Sequence, residues 1–151
     1  MITKYLNIVI LNDNETKNIA GKDYTFFDVM ARKNKLYGFE TKLDNNKKLV
    51  FLGDETCNPE IYDKIKNCDY VMHEAFCLDS EQDIFNPYEK HHSTVKSVCE
   101  NFKDFSIKNL ILFHTEDTHL NNRKELYLNE GKQYYSNNIL IPDDLETIEL
   151  N

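Results

Sequence analysis

The sequence contains no tryptophan, few glycines and prolines, and no long apolar run. Four glycines and three prolines among 151 residues do not favour a fibrous repeat or a disordered linker, and 40% hydrophobic residues are enough for a packed core. No segment reaches the roughly 20 apolar residues that a membrane-spanning helix needs, and no signal-peptide pattern begins the chain. We therefore expect a single cytoplasmic domain over residues 1–151 that makes no contact with membranes.

Positive charge and paired cysteines are also lacking. The net charge of −8 argues against non-specific nucleic-acid binding, because affinity for phosphate backbones comes mainly from clustered cations. A bound divalent metal could still attract a phosphorylated substrate. The four cysteines have no CxxC spacing and lie in or beside apolar stretches, which predicts buried free thiols: Cys57, Cys68, Cys77 and Cys99.

Apolar and β-branched runs alternate with segments of helical spacing in the second half of the chain. Strands are predicted at Tyr5–Leu11, Tyr24–Val29, Leu36–Leu43, Lys48–Leu52, Asp69–Met72, Asn109–Phe113, Asn138–Ile141 and Glu146–Leu150. Helices are predicted at Pro59–Asn67, Ser93–Phe102 and Asn122–Tyr135. This order indicates an α/β sandwich with a mixed sheet and flanking helices.

Polar residues follow three of the predicted strands. Asp54 follows the first, His73 and Glu74 follow the second, and His114 follows the third, while His92 precedes a helix. Each residue taken singly has an ordinary structural explanation, such as a turn former or a hydrogen-bonded histidine. Their coincidence favours a functional site, because ligands of α/β sheets bind beyond the carboxyl ends of the strands.

These residue types suit metal-dependent hydrolysis. A carboxylate such as Asp54 can bridge two metal ions, and a neutral imidazole such as His114 holds zinc. Glu74 would fix the orientation of a histidine. His92 would protonate a leaving group or stabilise negative charge. Glu116, Asp117 and His119 come just after His114. Two interpretations are open: they line the mouth of the pocket or, as we expect, they form a solvated loop.

Four sequence motifs resemble the late motifs of metallo-β-lactamase-fold hydrolases, in the same order. They are KLVFLGDE (48–55), NCDYVMHEAF (67–76), HHSTV (91–95) and NLILFHTED (109–117). The pattern is most similar to the branch related to ribonuclease Z, the tRNA maturation endonuclease. The resemblance implies that the chain is the C-terminal half of an αββα sandwich.

The resemblance also implies roles for individual residues. Asp54 would be the metal-bridging carboxylate and His114 the last histidine ligand, while Glu74 and His92 would form the acid/base pair. The complete site would hold two Zn²⁺ ions, with Mn²⁺ or Fe as other candidates. A metal-bound hydroxide would then attack a phosphodiester or RNA substrate, with other ester-like bonds, lactams and thioesters as alternatives.

The sequence departs from the family pattern in two places. The His-x-His-x-Asp-His motif of the first half is absent, and Met30 stands where related sequences carry a histidine. Since zinc takes about four ligands, one copy cannot complete a two-metal site. We expect a missing N-terminal half or a second copy as partner, and a fragment, a split protein and a degenerate relative all remain open.

Two other interpretations compete with the hydrolase half. The first is a non-catalytic, degenerate domain of the same fold that binds a partner. The second is a doubly wound domain with Asp54 as a phosphate acceptor, which leaves HEAF (73–76) and HHST (91–94) unexplained.

Overall fold

The computed structural model describes residues 8–150, and this part of the chain forms one seven-stranded sheet with four α-helices. The strands are β1 (Glu15–Ile19), β2 (Lys22–Asp28), β3 (Tyr37–Lys42), β4 (Lys48–Phe51), β5 (Tyr70–Glu74), β6 (Asn109–Phe113) and β7 (Asn138–Leu140). The helices are α1 (Tyr62–Ile65), α2 (Gln82–Phe85), α3 (Val95–Phe102) and α4 (Arg123–Gly131). Short 3-10 turns occupy Pro59–Ile61, Asp79–Glu81 and Pro87–Lys90.

The strands lie in the sheet in the same order as in the chain. Strands β1 to β4 are antiparallel neighbours, whereas β4 to β7 are parallel. Parallel neighbours need crossover connections, and such crossovers are almost always right-handed. Because each new strand is added on the same side of the previous one, right-handed crossovers bring all the helices to one face of the sheet.

The main core lies on this helix-covered face. Strand residues Val50, Val71 and Leu110 are fully buried there against Val98 and Phe102 of α3. Helix α3 begins after Thr94, whose side chain accepts a hydrogen bond from the Ser97 amide, while the Ser97 hydroxyl accepts one from the Thr94 amide. This reciprocal capping explains why the helix starts directly after the HHST motif.

The opposite face carries a row of aromatic rings that we call the aromatic face: Tyr24, Phe26, Phe39, Phe51 and Phe113. The rings of Phe39 and Phe51 stack at 5.2 Å, and those of Phe51 and Phe113 stack at 5.3 Å. All five rings are only partly buried. A smaller cluster of Leu49, Tyr70 and Ile111 continues this face under Ile148 and Leu150, and within residues 8–150 no helix contributes to it.

Most predicted elements are confirmed, with three corrections. The strand predicted at Glu146–Leu150 is wrong, since these residues pack on the sheet without pairing as a strand. Residues 8–11 of the strand predicted at Tyr5–Leu11 are likewise irregular, and residues 5–7 lie outside the described residues. The doubly wound interpretation is wrong because β1 to β4 are antiparallel.

The remaining expectations about the fold concern thiols and membranes. All four cysteines are buried and free, as predicted. Among residues 8–150, no helix combines the length and apolar character that crossing a membrane requires.

Candidate metal centre

The candidate site lies at the carboxyl ends of three neighbouring parallel strands. Asp54 follows β4, Glu74 ends β5, and His114 is the first residue after β6. Register holds these ends level, because Phe51 pairs with Met72 and Glu74 pairs with Phe113. The structure therefore brings Asp54, Glu74 and His114 to one edge of the sheet, whereas His73 packs in the core against Phe102 and does not join them.

Sharp backbone turns direct two of these residues toward each other. Gly53 has a φ of 75°, a left-handed conformation that glycine adopts without steric cost. His114 has a φ of 52°, which is uncommon for a residue with a Cβ atom. The chain thus leaves β4 and β6 abruptly, and the side chains of Asp54 and His114 meet above the strand ends.

Asp54, His92 and His114 form one cluster. The Nδ1 atom of His92 lies 3.3 Å from Oδ1 of Asp54, and Nδ1 of His114 contacts the same carboxylate oxygen. One potential ligand atom from each residue lies within 4.8 Å of the others. The side chains of Asp54 and His114 are 51% and 39% exposed, so the cluster is open to solvent on one side.

Glu74 lies behind the cluster and is completely buried. Its Oε1 atom accepts a hydrogen bond of 2.7 Å from the Ser93 amide, which ties β5 to the HHST segment. Its Oε2 atom lies 3.7 Å from Nδ1 of His92, beyond hydrogen-bonding distance. Burial raises the pKa of Glu74 to about 8, although the Ser93 hydrogen bonds oppose this shift. The metal-free protein therefore holds this carboxyl largely protonated at neutral pH.

Phe76 forms an apolar wall beside the two histidines, and sequence reasoning missed it. Its ring stacks on His92 with centroids 5.0 Å apart and planes 20° apart, and its centroid is 5.9 Å from that of His114. Burial lowers the pKa of His92. The His92 ring is consequently kept neutral and oriented, a state in which it can bind a metal or exchange a proton.

The donor atoms in the cluster fit a divalent metal. One carboxylate and neutral imidazoles suit Zn²⁺, Mn²⁺ or Fe. The Nδ1 atom of His92 is buried and has no hydrogen-bond partner among residues 8–150, and the same holds for Oε2 of Glu74. Buried polar atoms without partners carry a free-energy cost, which a nearby cation or an added donor would reduce.

The loop after His114 differs from the expectation. Glu116 is only 5% exposed, so the prediction of a solvated loop is wrong at this position. Its backbone amide donates a hydrogen bond of 2.7 Å to the Phe76 carbonyl, and its carboxylate lies near Glu81 and His119. Met30 has an exposed side chain and does not belong to the Asp54 cluster.

Comparisons with known proteins agree with this architecture. No family model matches the chain. The chain is 26% identical over 137 residues to ribonuclease Z of Picrophilus torridus, an alignment that covers 91% of the chain and 40% of that protein. The chain thus spans less than half of the length of the curated relative that it matches.

Solved structures of the metallo-β-lactamase fold superpose on most of the chain. The protein YhfI of Bacillus subtilis gives a TM-score of 0.69 at 15% identity, covering 89% of this chain and 52% of YhfI. Human tRNase Z, short form, gives a TM-score of 0.63 at 19% identity, covering 89% of this chain and 46% of the human protein. Zn²⁺-bound PqqB of Methylobacterium extorquens gives a TM-score of 0.67 at 15% identity, covering 93% of this chain and 51% of PqqB. The chain has the metallo-β-lactamase fold and is similar in sequence to ribonuclease Z.

Proposed function

We propose that this chain is the C-terminal half of a metal-dependent hydrolase of the ribonuclease Z type that cleaves phosphodiester bonds. The observation that carries the proposal is the meeting of Asp54, His92 and His114 at the ends of β4 to β6, with Glu74 buried behind them. These four residues lie 18 to 60 positions apart in sequence and come from separate elements. The similarity to ribonuclease Z supports the substrate class.

Each residue of the site has a separate task in the proposed mechanism. Asp54 and His114 would hold the metal, and the complementary half would supply the remaining ligands of a two-ion site. Zn²⁺, when bound, supplies a Lewis acid and activates water at neutral pH. His92 takes up a proton from solvent and donates it to the leaving oxygen, which returns the ring to its neutral state, while Glu74 lies behind the ring with Oε2 at 3.7 Å from Nδ1. Phe76 excludes water from one side of the His92 ring.

The aromatic face is the proposed docking surface for the complementary half. It consists of partly buried rings, and no described helix contributes to the cluster of Leu49, Tyr70 and Ile111 that continues the same face. Burying apolar surface stabilises an assembly by about 25 cal/mol per Å². The chain corresponds to 40% of the ribonuclease Z relative, which leaves a substantial complementary segment to cover this face.

The DNA upstream of the Met1 codon provides the first test. We expect an in-frame segment that encodes the His-x-His-x-Asp-His motif. Protein expressed from the extended frame should hydrolyse bis(p-nitrophenyl) phosphate after loading with Zn²⁺, and the Asp54→Ala variant should be inactive. An extended protein that retains full activity after this substitution would contradict the assigned site.

The second candidate is a non-catalytic domain that binds a copy of itself through the aromatic face. The exposed Met30 in place of a histidine favours it. This candidate requires a stable homodimer that forms without metal, which analytical ultracentrifugation in the presence of a chelator detects. Monomeric protein under these conditions eliminates it.

A further inference from the structure

A second group of metal-binding side chains lies outside the Asp54 cluster. Glu81, Glu116 and His119 each offer one ligand atom, and these three atoms lie within 4.8 Å of one another. Glu81 ends the 3-10 turn Asp79–Glu81, whereas Glu116 and His119 belong to the loop between β6 and α4. This group shares no residue with the Asp54 cluster. It requires a contact between Glu81 and His119, which lie 38 positions apart in sequence.

The buried carboxylate of Glu116 is the strongest indication of a ligand. Glu116 is 95% buried, given its 5% exposure, and its Oε2 atom accepts a hydrogen bond of 2.5 Å from the Thr118 amide. Its Oε1 atom is buried without a hydrogen-bond partner among residues 8–150, and the same is true of Oε2 of Glu81. Two acidic groups with unpartnered buried oxygens at one place are costly unless a cation lies between them.

His119 completes a set of ligands of mixed chemistry. Its Nε2 atom lies 2.5 Å from Oε1 of Glu81, and its side chain is 28% exposed. A simple His–Glu ion pair would satisfy Nε2 of His119 and Oε1 of Glu81 but would leave Oε2 of Glu81 and Oε1 of Glu116 without partners. Two carboxylates and one imidazole balance the charge of a divalent ion and suit Zn²⁺ or Mn²⁺, with water as a further ligand.

We propose that Glu81, Glu116 and His119 bind a divalent transition-metal ion that holds the β6–α4 loop against the Asp79–Glu81 turn. The loop begins directly after His114, and the Glu116 amide is hydrogen-bonded to the Phe76 carbonyl. Phe76 in turn stacks on His92. An ion at this position therefore stabilises the loop and the position of the Phe76 ring beside the Asp54 cluster. Its role is structural.

Zinc titration of a variant that lacks the first cluster tests this proposal. In the Asp54→Asn/His114→Asn double variant, isothermal titration calorimetry with Zn²⁺ alone should find one bound equivalent. Adding Glu116→Gln, which keeps the size and the acceptor for the Thr118 amide, should weaken binding by about tenfold or more. Glu100→Gln on the exposed side of α3 is the matched control and should leave the Zn²⁺ affinity unchanged.

His119→Asn gives an independent answer if the Glu116 variant does not fold. His119 is partly exposed, so circular dichroism of this variant should match the parent protein while Zn²⁺ binding is lost. Absence of Zn²⁺ binding in the double variant, or binding that survives both Glu116→Gln and His119→Asn, would overturn the proposal. Neither result touches the hydrolase assignment, because the Asp54 cluster is already removed in this experiment.

Discussion

At the scale of single residues, His92 and His114 have different surroundings, and we expect different consequences when each is removed. His114 contacts Asp54 directly and is more exposed, whereas His92 lies between Asp54 and Glu74 under the ring of Phe76. In the protein expressed from the extended frame, His114→Ala should reduce metal affinity by about tenfold or more. His92→Ala should retain metal but lower kcat by roughly 10² to 10⁴.

Metal content after dialysis and steady-state kinetics distinguish these outcomes. His91→Ala is the control, because His91 is adjacent to His92 in sequence but does not belong to the cluster. Loss of metal in the His92 variant would make His92 a ligand and leave the proposed proton transfer without a donor.

His73 makes stability depend on pH. It is 1% exposed, and desolvation lowers its pKa from 6.5 to about 4. Between these values the unfolded chain binds a proton that the native protein rejects, so stability is full above pH 6.5 and falls as the pH drops toward 4. The loss attributable to His73 reaches about 3 kcal/mol.

Urea unfolding of metal-free protein from pH 7 to pH 4 measures this effect. His73→Phe removes the titrating group while keeping an aromatic ring against Phe102. Glu74 has the opposite effect, because its raised pKa makes the native state take up protons as the pH falls. The quantity to compare is therefore the difference in the free energy of unfolding between His73→Phe and the parent protein. A difference that does not change with pH would disprove the assignment.

Three residues of the candidate site, Asp54, Glu74 and His114, could be found from sequence, but Phe76 and the second group of ligands could not. Asp54, Glu74 and His114 each end an apolar run, so the general behaviour of strand ends brings them together. Phe76 and Glu81 carry no such signal. The contact of Glu81 with His119 depends on how the Asp79–Glu81 turn packs against a distant loop, which local sequence patterns do not encode.

At the scale of secondary-structure elements, the cap of α3 connects helix stability to the site. Thr94 caps the helix and lies two residues after His92. Thr94→Val keeps the shape but removes the hydroxyl, and we expect a loss of about 1 kcal/mol in the free energy of unfolding. Thr94→Ser retains the hydroxyl and should cost clearly less. Chemical unfolding followed by circular dichroism compares the two, and equal losses would show that the cap contributes nothing.

The elements that sequence patterns missed are those whose stability comes from pairing. Strand β1 has the sequence ETKNI, which lacks an apolar face, yet it pairs with β2 over five residues through the two-residue turn at Ala20 and Gly21. The C-terminal segment shows the reverse. Ile148 and Leu150 alternate as in a strand, but they serve only to cover Leu49, Tyr70 and Ile111.

At the scale of the whole molecule, the two faces of the sheet differ in how they are covered. We expect the aromatic face to drive association of the isolated chain as its concentration rises. Phe39→Arg places a charge at the centre of the ring row and should reduce this association in sedimentation velocity experiments. Thr25→Arg lies on the other face of the same hairpin and is the control, which should not reduce association. Equal behaviour of the two variants would contradict the docking role of this face.

The central claim is that Asp54 and His114, brought together by the sheet, bind metal in this chain. Two-dimensional ¹H–¹⁵N spectra of the histidine rings during a Zn²⁺ titration test it with a separate signal for each histidine. We predict a saturable shift at Nδ1 of His114 that disappears in Asp54→Asn. A His114 ring that does not respond to Zn²⁺ while the protein remains folded would contradict the account.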